Sequence, residues 1–275
     1  MADNFGPGLM QWLHASYGIG VTSGPLVMTY FLSQFNAWRP GYVLVGGFQL
    51  LLAFTFWLTL PMWQSKGANS GEHDEEPYPA SQKASVWQTI AHPTAWIGFV
   101  LFFLYTGSEV TVGTWTYSLL TEARGVQPEF AGLFAGSYWF MFTIGRILAG
   151  LVTRKLDIRR LVLICFSAAL LGAALLLWNP FALSELVAVG VIGFAFAPIF
   201  PGLVSGTLAR VGRTHMDNAI GIQMAFASLG GTALTSLVGL AARRWGLEVM
   251  PAAMVIFLCI AISLYWFSLR RQSMA

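Results

Sequence analysis

The stretch AWIGFVLFFLYTGSEVTVGTWTYSLLTEARGVQPEFAGLFAGSYWFMFTIGRILAGLVTRKLDIRR, Ala95 to Arg160, decides the fold. It holds two apolar runs separated by a short polar break, and each run reaches the ~20 residues that a helix needs to cross a bilayer. One ionisable residue interrupts each run: Glu109 in the first and Arg146 in the second. A charge at bilayer depth costs roughly 2.5–3.5 kcal/mol even on lenient insertion scales, so an intramembrane charge is read first as functional.

The whole chain shares this character. Hydrophobic residues make up 56% and charged residues 10% of its 275 positions, well below the charged fraction of a soluble globule. The expected fold class is all-α, a polytopic helical membrane protein with eight transmembrane helices. The spans are about Leu9–Leu32, Gly41–Trp63, the two in the opening stretch, Leu161–Trp178, Leu186–Leu208, Ala219–Ala241 and Val249–Leu269. Short connections predict that consecutive helices are antiparallel neighbours. A hydrophilic segment from Gln64 to Pro93 is the one long break and divides two spans from six. The expected domains are therefore 1–63, a two-helix unit, 64–93, a cytoplasmic loop, and 94–275, a six-helix bundle. The end of the loop, SVWQTIAHP, reads as a short interfacial helix.

Charge sets the expected orientation. Lys66, Lys83, Arg154, Lys155, Arg159, Arg160, Arg210, Arg213, Arg270 and Arg271 fall on the side of the termini, against Arg39, Arg124, Arg243 and Arg244 on the other. The positive-inside rule then places both termini in the cytoplasm, with the protein in the cell inner membrane. The net charge of +3 is thus topological and points to no nucleic acid. Cys165 and Cys259 lie in apolar spans and imply no disulfide. The amino terminus lacks a basic region and a cleavage motif, so it is not read as a signal peptide.

Glu109 lies fourteen residues into its span, about 21 Å at 1.5 Å per residue, a little past the middle of a ~30 Å core. Tyr105, Thr106, Gly113 and Thr116 share its helix face, a polar stripe that reads as a cavity wall. Glu109 is a candidate proton-titrating carboxylate or solute acceptor, against a buried Glu that only bonds a neighbouring helix. Arg146, about 10 Å from its helix end, is expected to sit too low to pair directly with Glu109, and reads as a gate or structural cation with Asp157 and Asp217 as candidate partners. Tyr138 and Trp139 begin an aromatic surface that either stacks on a sugar ring or packs. His14 and Gln223 are further binding or proton-relay candidates, each weighed against an ordinary helix contact. Pro198 and Pro201 are expected to bend their helix. The acidic run Glu72 to Glu76 lacks ligand spacing and is read as a solvated charge run, so neither metal nor cofactor is implied. Hydrolase, metalloprotease and nucleotide-binding motifs are absent from the sequence, which argues against an enzyme.

The order of these features resembles the major facilitator superfamily, and within it the fucose permease-like sugar transporters. LHASYGIGVTSGPL resembles that branch's fifth helix and WRPGYVLVGGFQLLLAF its sixth. YTGSEVTVGTW, with Glu109 and Trp115, is similar to the seventh, GFAFAPIFPGLVS to the tenth and AIGIQMAFASLGG to the eleventh. GRILAGLVTRKLDIRR resembles the loop motif G-x-x-x-D-R-x-G-R-R, with Arg154, Lys155, Arg159 and Arg160 at its basic positions and Thr153 where the motif is acidic. The resemblance implies a secondary transporter working by alternating access, expected to be a proton symporter for a sugar or similar small polar solute. It also implies that helices one to four of a twelve-helix fold are missing, as though translation restarted at an internal Met. The alternative expectation is a non-transporting assembly protein that pairs with another transporter half or with itself.

Overall fold

The computed structural model describes residues 34–64, 84–153, 155–181 and 183–274, together with positions 16, 20, 23, 24, 27, 28, 30 and 31. The fold is all-helical, as expected, and among the described residues seven helices are long and apolar enough to cross a membrane. The eighth expected span, Leu9–Leu32, falls largely outside the described residues.

Two compact units divide the chain, one within Gly20–Lys83 and the other taking in Ala84–Ala275. In the first, helix α1 spans Arg39–Gln64 and turns apolar side chains outward on all sides, among them Val43, Phe48, Leu51, Phe54 and Trp57. A helix apolar all round suits lipid.

The second unit is a helix bundle. A short helix α2, Val86–Ala91, precedes it, with Val86 and Trp87 exposed as an interfacial helix requires. A reciprocal capping box starts α2: the Ser85 hydroxyl accepts from the Gln88 amide, and the Gln88 side chain accepts from the Ser85 amide. The spans are α3 (Pro93–Ser118), α4 (Pro128–Val152), α5 (Ile158–Trp178), α6 (Ser184–Phe196) with its continuation α7 (Ile199–Ser205), α8 (Thr207–Trp245) and α9 (Val249–Met274). Proline at the first helical position starts α3 and α4, where its missing N–H would have had no partner. Asn179 ends α5 in the left-handed conformation, φ 46°. A π-helical turn, Leu119–Ala123, extends α3, and Gly212 (φ 74°) kinks α8 near its start. The bend expected from Pro198 and Pro201 is the break between α6 and α7.

The packing corrects one expectation. Consecutive helices are neighbours only in part: α5 packs well along α6, but the largest seams are α3 along α8 and α4 along α6, α9 fills between α3 and α5, and α4 and α5 hardly touch despite the short turn joining them. Helix α3 and the α6–α7 span are the most interior, and in α3 Phe99, Leu101, Phe102, Tyr105 and Val112 are fully buried. Its seam with α8 is closed by Gly230, where an added Cβ would overlap the carbonyl oxygen of Phe103. Small residues at such a crossing let two backbones meet, the usual way that helices associate in lipid.

Candidate functional site

Four of the expected residues converge in the interior between α3, α4 and α6. Glu109 is 7% exposed and Arg146 3%; Glu109 lies in the middle of its span and Arg146 within two turns of the end of α4. Tyr105, one turn before Glu109 on α3, interacts with its side chain, and Arg146 lies within Coulombic reach of both. The expected axial offset of Arg146 therefore does not isolate it from Glu109. Its long side chain covers part of the distance, and its guanidinium rests over the Phe142 ring at 4.2 Å.

Two tyrosines fasten this group to the backbone. The Tyr105 hydroxyl donates to the Phe196 carbonyl at 3.0 Å, where α6 ends, and the Tyr138 hydroxyl donates to the Glu109 carbonyl at 3.2 Å. Tyr138 is buried and packs edge-on against Trp139, with ring centroids 4.7 Å apart. Helix α6 comes close enough because Gly193 meets the Tyr138 carbonyl where no side chain would fit. Along the polar stripe of α3, Tyr105 and Thr116 are buried and Thr116 returns its hydroxyl to the Val112 carbonyl, while Thr106 and Gly113 are half-buried. A carboxylate, a guanidinium and two hydroxyls in one apolar interior can hold or exchange a proton and can bond a polar solute.

The other candidates lie elsewhere. Trp115 donates its indole N–H to the Thr235 carbonyl at 3.1 Å and belongs to the α3–α8 seam, with Thr111 bonded to Thr235 beside it. Gln223 is buried toward the end of the bundle where the linker joins, and its side-chain oxygen accepts from Thr207 at 3.0 Å. It lies against Gly98, eleven residues before Glu109 and so about 16 Å away along α3. Asp157, expected as a partner of Arg146, accepts the Arg159 amide at 3.0 Å and caps α5. Lys155, Arg159, Arg160 and Asp217 are exposed at the linker end. His14 and Arg154 fall outside the described residues.

Two polar groups went unread in the sequence as sites. At the linker end, buried Arg210 donates to the Leu203 carbonyl and to Thr207, so the terminal carbonyl of a helix, rather than a carboxylate, receives its charge. At the opposite end, Arg124 joins three loops. It donates to both Glu248 oxygens at 2.7 and 2.8 Å and to the Leu176 carbonyl at 2.8 Å, and it stands 3.7 Å from Glu185. Glu185 in turn accepts from Asn179 at 2.8 Å. The available signal was that Arg124, Glu185 and Glu248 all fall in connections at one end of the bundle. Arg124→Gln is expected to lower the stability of the bundle by about 3 kcal/mol, because it strands the buried Glu185. Glu248→Gln, at a half-exposed carboxylate, should cost about 1 kcal/mol or less. Thermal unfolding in detergent, followed by exposure of buried Cys165 to a thiol dye, checks the ranking.

An all-helical chain with this many apolar spans is an integral membrane protein. The Major Facilitator Superfamily model matches residues 7–235, and the chain belongs to that family. It is similar to the "Glucose/mannose transporter GlcP" of Bacillus subtilis, 27% identical over 269 residues, which cover 95% of this chain and 63% of that protein. It is also similar to "Bypass of stop codon protein 6" of Saccharomyces cerevisiae, 23% identical over 268 residues, covering 88% of this chain and 54% of the relative. The chain therefore spans less than two thirds of the length of these curated relatives.

Proposed function

We propose that the chain forms the solute-handling part of a secondary transporter that moves a sugar or similar small polar solute together with a proton by alternating access. The observation that carries this reading is Glu109, a carboxylate buried between α3, α4 and α6 with Tyr105, Tyr138 and Arg146 around it. Family membership and similarity to a transporter named for glucose and mannose support a neutral hexose as the solute. Glu109 takes and releases the proton. A change of charge in this packed interior, between Arg146 and the two tyrosines, couples proton binding to a change in packing. The basic residues at the linker end support cytoplasmic termini in a cell inner membrane.

Uptake of labelled glucose into right-side-out vesicles containing the chain tests the reading. Uptake that an inward proton gradient stimulates, and that unlabelled mannose competes, supports it. Correctly inserted protein that gives no uptake, alone or beside a separately supplied amino-terminal half, defeats it. It then favours the alternative, a membrane assembly protein.

A further inference from the structure

At the linker end two imidazoles face each other, with ring centroids of His92 and His215 4.8 Å apart. Hydrogen-bond accounting assigns a tautomer to each ring. The Thr89 hydroxyl donates its single hydrogen to the Ser85 carbonyl (3.2 Å), so it accepts from the His215 Nδ1–H at 3.0 Å. The Thr94 hydroxyl likewise donates to the Arg210 carbonyl (2.9 Å) and accepts from the His92 Nδ1–H at 2.8 Å. In this assignment each Nδ1 carries the hydrogen, and each Nε2 is the nitrogen left to accept another.

These rings lie in the contact that ties α2 to the start of α8. The Ala84 amide donates to the Thr214 carbonyl at 3.1 Å, the Asn218 side chain donates to the Ala84 carbonyl at 2.7 Å, and Thr89 is bonded to His215. No residue of α2 from Val86 to Ala91 is titratable, and at the start of α3 the titratable group is His92 itself. On α8 the charged residues nearest in sequence to His215 are Arg210, Arg213 and Asp217.

We infer that His92 and His215 form a proton-operated clasp, closed over the α2–α8 contact when the rings are neutral and opened when both are charged. One proton leaves a cation beside a neutral ring, which the contact tolerates. A second sets two cations 4.8 Å apart, and the pair separates. Release of α2 loosens the end of the linker where it joins the bundle. This device is independent of Glu109 and goes beyond the transport reading.

Hydrogen exchange on the full chain in lipid nanodiscs tests the clasp through peptides covering Ala84–His92. The expected result, after correction for the intrinsic pH dependence of exchange, is a roughly tenfold gain in exchange between about pH 8 and about pH 5, with α5 and α9 peptides unchanged. His92→Gln, which leaves the Thr89–His215 bond in place, and His215→Gln should each flatten this response. If His215→Gln opens the contact already at high pH, His92→Gln decides alone. Wild-type exchange that does not respond to pH, or a response of equal size in wild type and His92→Gln, overturns the clasp.

Discussion

Glu109→Gln abolishes stimulation of uptake by an inward proton gradient and lowers net uptake by roughly a hundredfold, the scale on which loss of a proton-transferring group acts. Glutamine has nearly the same shape and keeps hydrogen-bonding atoms toward Tyr105, so the packing between α3, α4 and α6 survives while the site loses its only change of charge. Exchange of labelled for unlabelled glucose across the membrane needs no net proton movement, and it is expected to persist in this variant. Exchange and gradient-driven uptake, measured on the same vesicles, therefore separate loss of coupling from loss of binding. Glu109→Asp should retain partial coupling, since the carboxylate remains but is drawn back by one methylene. Gradient-stimulated uptake at the wild-type level in Glu109→Gln removes Glu109 from the mechanism, whatever the solute proves to be.

The helices of this bundle were legible because membrane spans are written as composition. Apolar runs of the required length locate α3, α4 and α5, and Pro198 and Pro201 mark the break between α6 and α7, without tertiary information. The face of α3 that carries Glu109 was also readable, since helical spacing alone puts Tyr105 one turn below it. What that face meets was not. Whether a polar stripe lines a cavity or packs against a neighbour depends on which helix lies opposite, and short loops fix direction without fixing the partner. Hence the close pairings of α3 with α8 and α4 with α6 appear only in three dimensions. The Arg124 network was hidden for the same reason: Arg124 and Glu248 are 124 residues apart and meet only when α3 and α9 lie together. Gln223 falls between these cases. The small residues Ala227, Gly230 and Gly231 beside it marked a close helix contact, but its bonding partner Thr207 lies sixteen residues earlier, across the kink at Gly212.

The α3–α8 contact supplies an expected effect on stability as large as that of Arg124→Gln. Gly230 lies where α8 crosses α3, and a Cβ there would overlap the backbone of Phe103, which cannot swing aside as a side chain can. Gly230→Ala must therefore push the two helices apart along a seam that includes the Thr111–Thr235 bond and the Trp115–Thr235 bond. Overpacking of this kind costs about 1–3 kcal/mol, and the rigidity of the obstacle places Gly230→Ala at the upper end. Gly231 is the control within the same motif. A Cβ there would meet the Val110 side chain at 3.3 Å and the Thr106 methyl at 3.6 Å, contacts that a small side-chain shift relieves. Alanine also favours a helix over glycine by about 1 kcal/mol, so Gly231→Ala is expected to be neutral or slightly stabilising. Thermal unfolding of the two variants should thus diverge in sign although the substitutions are identical and adjacent. Equal melting temperatures would mean that α3 and α8 do not cross at Gly230.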